Sequence, residues 1–565
     1  MGLVGKKKKK KLKSRGGGVG SREQSPLRPS GITKPAPCGT EGCPNHNQVR
    51  KMLMTISKAE ELGMSKDDAW TAAWNVFAET TPFQSVCGRV CPHPCETACN
   101  RTGKEGAVGI NAIERFIGDW ALEKNLPMPM LTSDKRSEKI AIVGSGPGGM
   151  SCAYQLARRG YAVTVFEAFP KTGGMLRYGI PDYRLPQDVL DAEMQRILDM
   201  GVELKTNTIV GKDVPIADLQ SEYDTVFIAM GAHTGYKLRV DGEDASNVMT
   251  GIDILHKVNA GESVDLGDKV VVVGGGDTAI DAARIARRLG ANATILYRRT
   301  REEMPAIEEE IVGALDEGVE IHYLAAPIEI YNDGNKATGA KCQKMELGEP
   351  DSSGRRRPVP IEGDTFDLEF TTLVTAISQA PDFTGFDSFI EGRDWFKVDE
   401  KFKTKIENAF AGGDNTNLGL VIDAIYHGRR AAEAMHEMFT NEGMTPEIKG
   451  AVVKLDKMAH TFYEEHKRNE PVHMDPNEAL KTLDAEITAT FDPDKAFDEA
   501  KRCMSCGYCF DCGTCWSLCQ DSAITKPQIK GGPVVGKDEY VFKHDVCTGC
   551  KKCAEQCPCG FIEMH

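Results

Sequence analysis

Ile140-Ala-Ile-Val-Gly-Ser-Gly-Pro-Gly-Gly149, continuing as Met150-Ser-Cys-Ala-Tyr-Gln-Leu-Ala157, decides the architecture of this chain. Four consecutive apolar residues read as a buried strand, and the run after the glycines reads as a helix. A second buried strand, Ala162 to Phe166, ends on Glu167. Together they form a βαβ unit with G-x-G-x-x-G at its first turn. Gly144, Gly146 and Gly149 permit the tight turn and close approach of the backbone to a pyrophosphate, with Pro147 beside them at the helix start. Glu167 lies 23 residues after Gly144, where an acid bonds a ribose hydroxyl.

The plan recurs at Val270–Val273, followed by Gly274-Gly275-Gly276-Asp277-Thr278-Ala279, a helix through Leu289 and a strand from Ala293 to Leu296. Here Tyr297-Arg298-Arg299 replaces the terminal acid. Two guanidinium groups suit a 2′-phosphate and accept nothing from a bare ribose hydroxyl. The first unit therefore predicts FAD and the second NADP(H), with NAD(H) as the alternative, over Gly274, Gly276, Asp277, Thr278, Arg298 and Arg299. Strand residues Thr371 to Ile377, then Ala409-Phe-Ala-Gly-Gly413-Asp414 and a helix from Leu420 to Met438, return the chain to the first unit. Asp414 is placed for the flavin's ribityl chain, and Gly413, Gly174 and Leu176 complete the expected FAD-binding set.

Nineteen cysteines flank this core: six between Cys38 and Cys99, eleven between Cys503 and Cys559, and only Cys152 and Cys342 between. Their C-x2-C and C-x3-C spacings let thiolates converge on an inorganic centre more readily than they bridge one another. Cys509-x2-Cys512-x2-Cys515-x3-Cys519 and Cys547-x2-Cys550-x2-Cys553-x3-Cys557-Pro558 repeat the two-cluster ferredoxin spacing. In that arrangement the fourth cysteine of each run serves the other cluster. One [4Fe–4S] centre is expected on Cys509, Cys512, Cys515 and Cys557, and another on Cys547, Cys550, Cys553 and Cys519. Gln520 stands where the first run usually carries proline.

The predicted fold is α/β: two nested Rossmann-like dinucleotide-binding domains, an N-terminal α-helical iron–sulfur domain and a C-terminal two-cluster ferredoxin-like α+β domain. The expected boundaries are 1–35 for a disordered basic arm and 36–130 for the helical iron–sulfur domain. The FAD domain is split over 131–255 and 365–445 around an NAD(P)H domain at 256–364. A helical linker (446–500) leads to the ferredoxin domain (501–565). Net charge is −14; residues 1–15 contribute +8, leaving −22 on the remaining 550 residues. Nucleic acid is thus not an expected partner of the body. No apolar run approaches the ~18 residues of a membrane span, and no export leader is apparent, so a cytoplasmic protein is expected.

Cys87-Gly-Arg-Val-Cys91-Pro92, Cys95-Glu96, the two dinucleotide units, Tyr297-Arg298-Arg299 and Ala411-Gly412-Gly413-Asp414 resemble the small subunit of glutamate synthase. The resemblance covers residues 38–440 and extends to relatives such as the N-terminal half of dihydropyrimidine dehydrogenase and the large subunit of the bifurcating transhydrogenase. It implies an N-terminal [4Fe–4S] cluster on Cys43, Cys91, Cys95 and Glu114. For another such cluster Cys38 and Cys99 match two of four ligands. Relatives place the other two in a segment reading roughly E-A-x-R-C-L-x-C; here Glu499-Ala-Lys-Arg-Cys503-Met-Ser-Cys506 carries that text some 460 residues later. Cys503 and Cys506 are then the missing pair, which requires the two ends to meet within one chain or across a homodimer. The Cys38-Gly-Thr-Glu-Gly-Cys43-Pro44 opening and the fused tail look most like the flavoprotein partner of dissimilatory sulfite reductase.

The function implied is an NAD(P)H:acceptor oxidoreductase serving a redox protein partner, dissimilatory sulfite reductase, in sulfur metabolism. The alternative is an electron-input subunit of a glutamate-synthase-like or bifurcating complex with no acceptor of its own. Hydride carries two electrons and iron–sulfur centres take one, so a flavin is the converter both readings need.

Overall fold

The computed structural model describes residues 23–390, 395–447, 450–526 and 540–565. They fall into two compact units, residues 35–452 with 465–503, and residues 23–34 with 453–464 and 504–565.

In the larger unit, helices Val49–Ser57, Lys66–Ala78, Gln84–Val90 and Ile110–Glu123 form the N-terminal domain. Ser65 caps the second by accepting from Asp68 N, and Asp67 and Asp68 complement its positive end. Trp70, Trp74 and Phe77 recur at helical spacing and are fully buried. Trp70 meets Phe116 edge-on at 4.8 Å and Phe497 at 6.1 Å. That second contact brings the late helix Pro493–Ala500 onto the first hundred residues.

The first dinucleotide sheet is parallel throughout, ordered Ala409–Ala411, Thr225–Ile228, Lys139–Val143, Ala162–Phe166, Glu203–Lys205. Crossover helices cover such a sheet, so its strands are mostly apolar, apart from the edge strand Glu203–Lys205. The closing helix, Val421–Thr440, crosses Pro147–Ala157 so closely that a Cβ on Gly428 would stand 2.1 Å from the Gly148 carbonyl oxygen. The second sheet, also parallel, is ordered Glu320–Tyr323, Asn292–Tyr297, Lys269–Val273, Thr372–Thr375, Val248–Thr250. It therefore reaches beyond 256–364 at both ends, because Thr372–Thr375 pairs between Val248–Thr250 and Lys269–Val273. A three-stranded antiparallel sheet, Ala325–Asp333, Lys336–Pro350 and Arg356–Glu369, is added to this domain and has no counterpart in the sequence reading.

Two other expectations change. Residues 446–500 are not a helical linker: Pro446, Pro471, Pro476 and Pro493 interrupt any long helix, and the described part holds only short helices, Pro476–Ala479 and Pro493–Ala500, with isolated 3-10 turns. The basic arm is ordered from residue 23 onward; residues 1–22 lie outside the described residues. In the smaller unit Pro29–Gly31 pairs antiparallel with Ile562–Met564, satisfying that edge. The same unit holds helices Thr514–Leu518 and Lys552–Glu555 and the strand pair Ile524–Thr525 with Val541–Phe542. No helix among the described residues is long and apolar enough to cross a membrane.

Candidate functional site

The first glycine turn opens onto a cavity of ≈ 510 Å³ lined by Gly144, Gly146, Pro147, Glu167, Gly174, Leu176, Gly413 and Asp414. Thr208, Val210, His233 and Phe386 line it too and were not legible as site residues. Its size lies in the range of cofactor clefts. The glycines act differently. Gly144 holds φ +96°, where L side chains are strained, and a Cβ on Gly149 would stand 2.0 Å from the Gly144 oxygen. Gly146 meets only Gly174 Cα at 4.0 Å, so its bare backbone faces the cavity. One Glu167 oxygen accepts from Ser145 N (2.9 Å) and the other from Phe169 N (2.8 Å), fixing the carboxylate at the cavity wall. Asp414 accepts from Gly419 N (3.2 Å) near the start of the closing helix. Burial, then the neighbouring Asp423 carboxylate, pushes its pKa up to about 6. A bare-backbone cradle beside a helix N-terminus fits a pyrophosphate.

At the second turn Gly274 (φ +151°) could not carry a Cβ without approaching Ala376 O to 2.2 Å, and one on Gly275 would strike the Tyr297 ring at 2.5 Å. Gly276 is open, with only Pro305 at 3.9 Å, while Thr278 backs onto Gly251. Asp277 accepts from Ile307 N at 2.9 Å. The two arginines part company. Arg298 is exposed. Arg299 is buried, with Nη2 2.8 Å from Asp351 Oδ2 and Nε donating to Arg356 O at 2.7 Å. Asp351 belongs to the hairpin the sequence reading missed; an Asp-Ser-Ser-Gly turn gave no sign that it would reach Arg299.

In the N-terminal domain Cys43, Cys95 and Glu114 are buried and Cys91 is partly buried. Burial and then the Glu114 charge push the Cys91 thiol up; burial is also the main cause for Cys43, raised to about 11. Glu114 is itself raised to about 8, by burial first and then by Glu193 and Glu96. Its Oε1 is buried and has no hydrogen-bond partner among the described residues. Three thiols and an orphaned carboxylate so mutually unfavourable as anions fit a cationic iron centre.

Cys38, Cys99 and Cys503 also belong to this unit, and each packs against its core. Arg101, two residues past Cys99, donates to the Arg502 carbonyl at 2.6 Å, placing the residue before Cys503 in this domain. Arg502 donates in turn to Ala107 O (2.7 Å), Gly106 O (2.8 Å) and Glu499 Oε1 (2.5 Å), while Glu499 Oε1 accepts from Gly109 N at 2.7 Å. Cys506 is part of the smaller unit.

There the tail cysteines sort into two small apolar cavities of about 20 Å³ each. One is lined by Cys509, Cys512, Cys515 and Cys557, and the other by Cys519, Cys547, Cys550 and Cys553. Cys557 thus lies with the first run of cysteines and Cys519 with the second. Among the described residues no three His, Cys, Asp or Glu side chains close on a single metal ion. A cubane asks for something wider, because each thiolate binds a different iron.

Two dinucleotide folds with glycine cradles in one unit, and cysteine-lined cavities in the other, define an iron–sulfur flavoprotein. Residues 138–428 match the family described as pyridine nucleotide-disulphide oxidoreductase, and residues 33–126 match dihydropyrimidine dehydrogenase domain II, 4Fe-4S cluster. The NADPH-Fe(3+) oxidoreductase subunit beta of Geobacter sulfurreducens is 35% identical over 526 residues, 83% of this chain and 75% of that one. The glutamate synthase [NADPH] small chain of Escherichia coli is 34% identical over 422 residues, 70% and 86%. The NADP(+)-dependent formate dehydrogenase subunit beta of Moorella thermoacetica is 38% identical over 462 residues, 76% and 63%. The chain belongs to the pyridine nucleotide-disulphide oxidoreductase family, within its glutamate-synthase-small-chain-like iron–sulfur branch. It is an oxidoreductase working with FAD, NADP(H) and [4Fe–4S] clusters. No C-x-x-C stands by its first glycine turn; Cys152 is single and fully buried in the helix there.

Proposed function

We propose that the chain carries electrons between NADPH and a redox protein partner, with the ferredoxin tail as the outlet. The observation that carries this reading is the sorting of the eight cysteines of the two repeated runs, four to each of two cavities. Cys512 supports it, since it is the exposed member of the eight. FAD supplies the passage between hydride and single electrons, while the chain's own residues cradle, orient and keep water out. The partner proposed is dissimilatory sulfite reductase, which makes the chain DsrL-like; the Cys38–Pro44 opening and the fused tail support this. The test is copurification with a sirohaem protein and NADPH-dependent reduction of that protein. Copurification with a glutamine-cleaving or formate-oxidising subunit instead would place the chain as the input subunit of another complex, a reading that the subunit names of its relatives favour.

Arg298 is the contact proposed for the 2′-phosphate, because Arg299 is already bound to Asp351. Losing a charge-assisted contact costs about 1.5–3 kcal/mol. Arg298→Ala is therefore expected to raise the NADPH KM about tenfold or more with little change for NADH. Arg299→Ala is expected to lower Tm, since it removes the ion pair to Asp351 and the donor to the Arg356 carbonyl. A strong preference for NADH in the unmodified protein would refute the arginine reading.

For the N-terminal domain the proposed ligands are Cys43, Cys91, Cys95 and Glu114 for one cluster, and Cys38, Cys99 and Cys503 for another. Cys506 joins the second set on the strength of the Glu499–Cys506 text alone. Cys503→Ser is expected to remove about four irons per chain, one cubane's worth, without altering the tail clusters' spectrum. An unchanged iron content would remove Cys503 from the ligand set.

A further inference from the structure

The cavity of Cys509, Cys512, Cys515 and Cys557 contains a fifth thiol. Cys559, two residues past the last cysteine of the repeat, is 2% exposed and lines the same cavity. Its Sγ stands 3.8 Å from Cys557 Sγ, within hydrogen-bond reach for sulfur. Its carbonyl accepts from Gly507 N at 2.6 Å, which anchors the backbone that carries it. Around it are Phe510, Tyr540, Phe542 and Phe561, so little water competes for the thiol proton.

The two halves of the tail differ here. In the other half the position two past Cys519 is Asp521, whose Oδ2 accepts from Thr548 N (3.0 Å) and Thr548 Oγ1 (2.6 Å). An ionised carboxylate has no proton to donate, whereas a thiol has one. Hydrogen bonds to sulfur are among the determinants of a cluster's reduction potential, because they stabilise the more negative, reduced state.

We propose that Cys559 is a positioning residue and not a ligand: its S–H donates to Cys557 Sγ and raises the reduction potential of the cluster held by Cys509, Cys512, Cys515 and Cys557. This rests on the reading of the tail as a two-cluster ferredoxin. In that cluster Cys557 is the thiolate acceptor, and Cys559 is the neutral donor.

The test uses the full-length holoprotein, with iron analysis and a redox titration followed by electron paramagnetic resonance. Cys559→Ala is expected to keep its iron and to weaken one-electron reduction of one tail cluster up to about tenfold, a negative shift of up to ~59 mV. Cys559→Ser, which keeps an O–H donor, is expected to recover part of that shift. Unchanged potentials in Cys559→Ala would overturn the proposal, as would loss of about four irons, which would make Cys559 a ligand. Cys509→Ala separates the underlying reading: loss of about four irons supports the cluster assignment, and no loss overturns it together with the role of Cys559.

Discussion

Truncation after Cys503 is expected to leave a protein whose flavin NADPH still reduces but which delivers no electrons to its protein acceptor. The cut belongs at 503 and not at 500. Arg502 and Glu499 are fully buried in the larger unit and form an ion pair whose members bond the backbone at Gly106, Ala107 and Gly109. Removing Arg502 would strand a buried carboxylate, at a cost of about 3–5 kcal/mol. The eight tail cysteines all lie beyond Cys503, and both glycine turns lie before it. Anaerobic bleaching of the flavin by NADPH should therefore survive, while turnover with the physiological acceptor should vanish. Retained turnover would move the outlet to the N-terminal clusters.

Gly149→Ala is expected to abolish FAD retention. Its new Cβ would meet the Gly144 oxygen at 2.0 Å and Ile142 Cγ2 at 3.3 Å, and the first obstacle is backbone that no rotamer change can move. Strand and helix must separate, and overpacking of this kind costs about 1–3 kcal/mol or more. Gly146→Ala makes the informative contrast. Nothing but Gly174 Cα lies within 4 Å of its Cβ, at 4.0 Å, so the fold should be kept while the methyl intrudes on the cofactor's path. The flavin-to-protein ratio and Tm separate the two: Gly149→Ala should lose both, and Gly146→Ala chiefly flavin. A fully flavinated Gly149→Ala protein would refute this account of the turn.

Much of the site was legible because its signals are local. A glycine turn between a buried strand and a helix, or cysteines two and three residues apart, has its meaning within one or two turns of backbone. The partners of those features were harder to read. Arg298 and Arg299 are neighbours of the same chemistry, yet one is exposed and the other is held by Asp351, 52 residues on. Nothing in Tyr-Arg-Arg distinguishes them. Likewise Phe386 and His233 reach the cavity at the first glycine turn from segments with no recognisable motif.

The sequence by itself determined the two dinucleotide folds, their order and nesting, and the grouping of the tail cysteines in two repeated runs. These follow from steric demands at glycines and from ligand spacing, which are settled by near neighbours. The tertiary structure alone decided that Val248–Thr250 and Thr372–Thr375 share the second sheet and that Pro29–Gly31 pairs with Ile562–Met564. It alone placed Cys503 in the N-terminal helical domain through Glu499 and Arg502. Such pairings form when backbone groups and buried charges far apart in the chain satisfy one another, and that competition leaves no periodicity in the text.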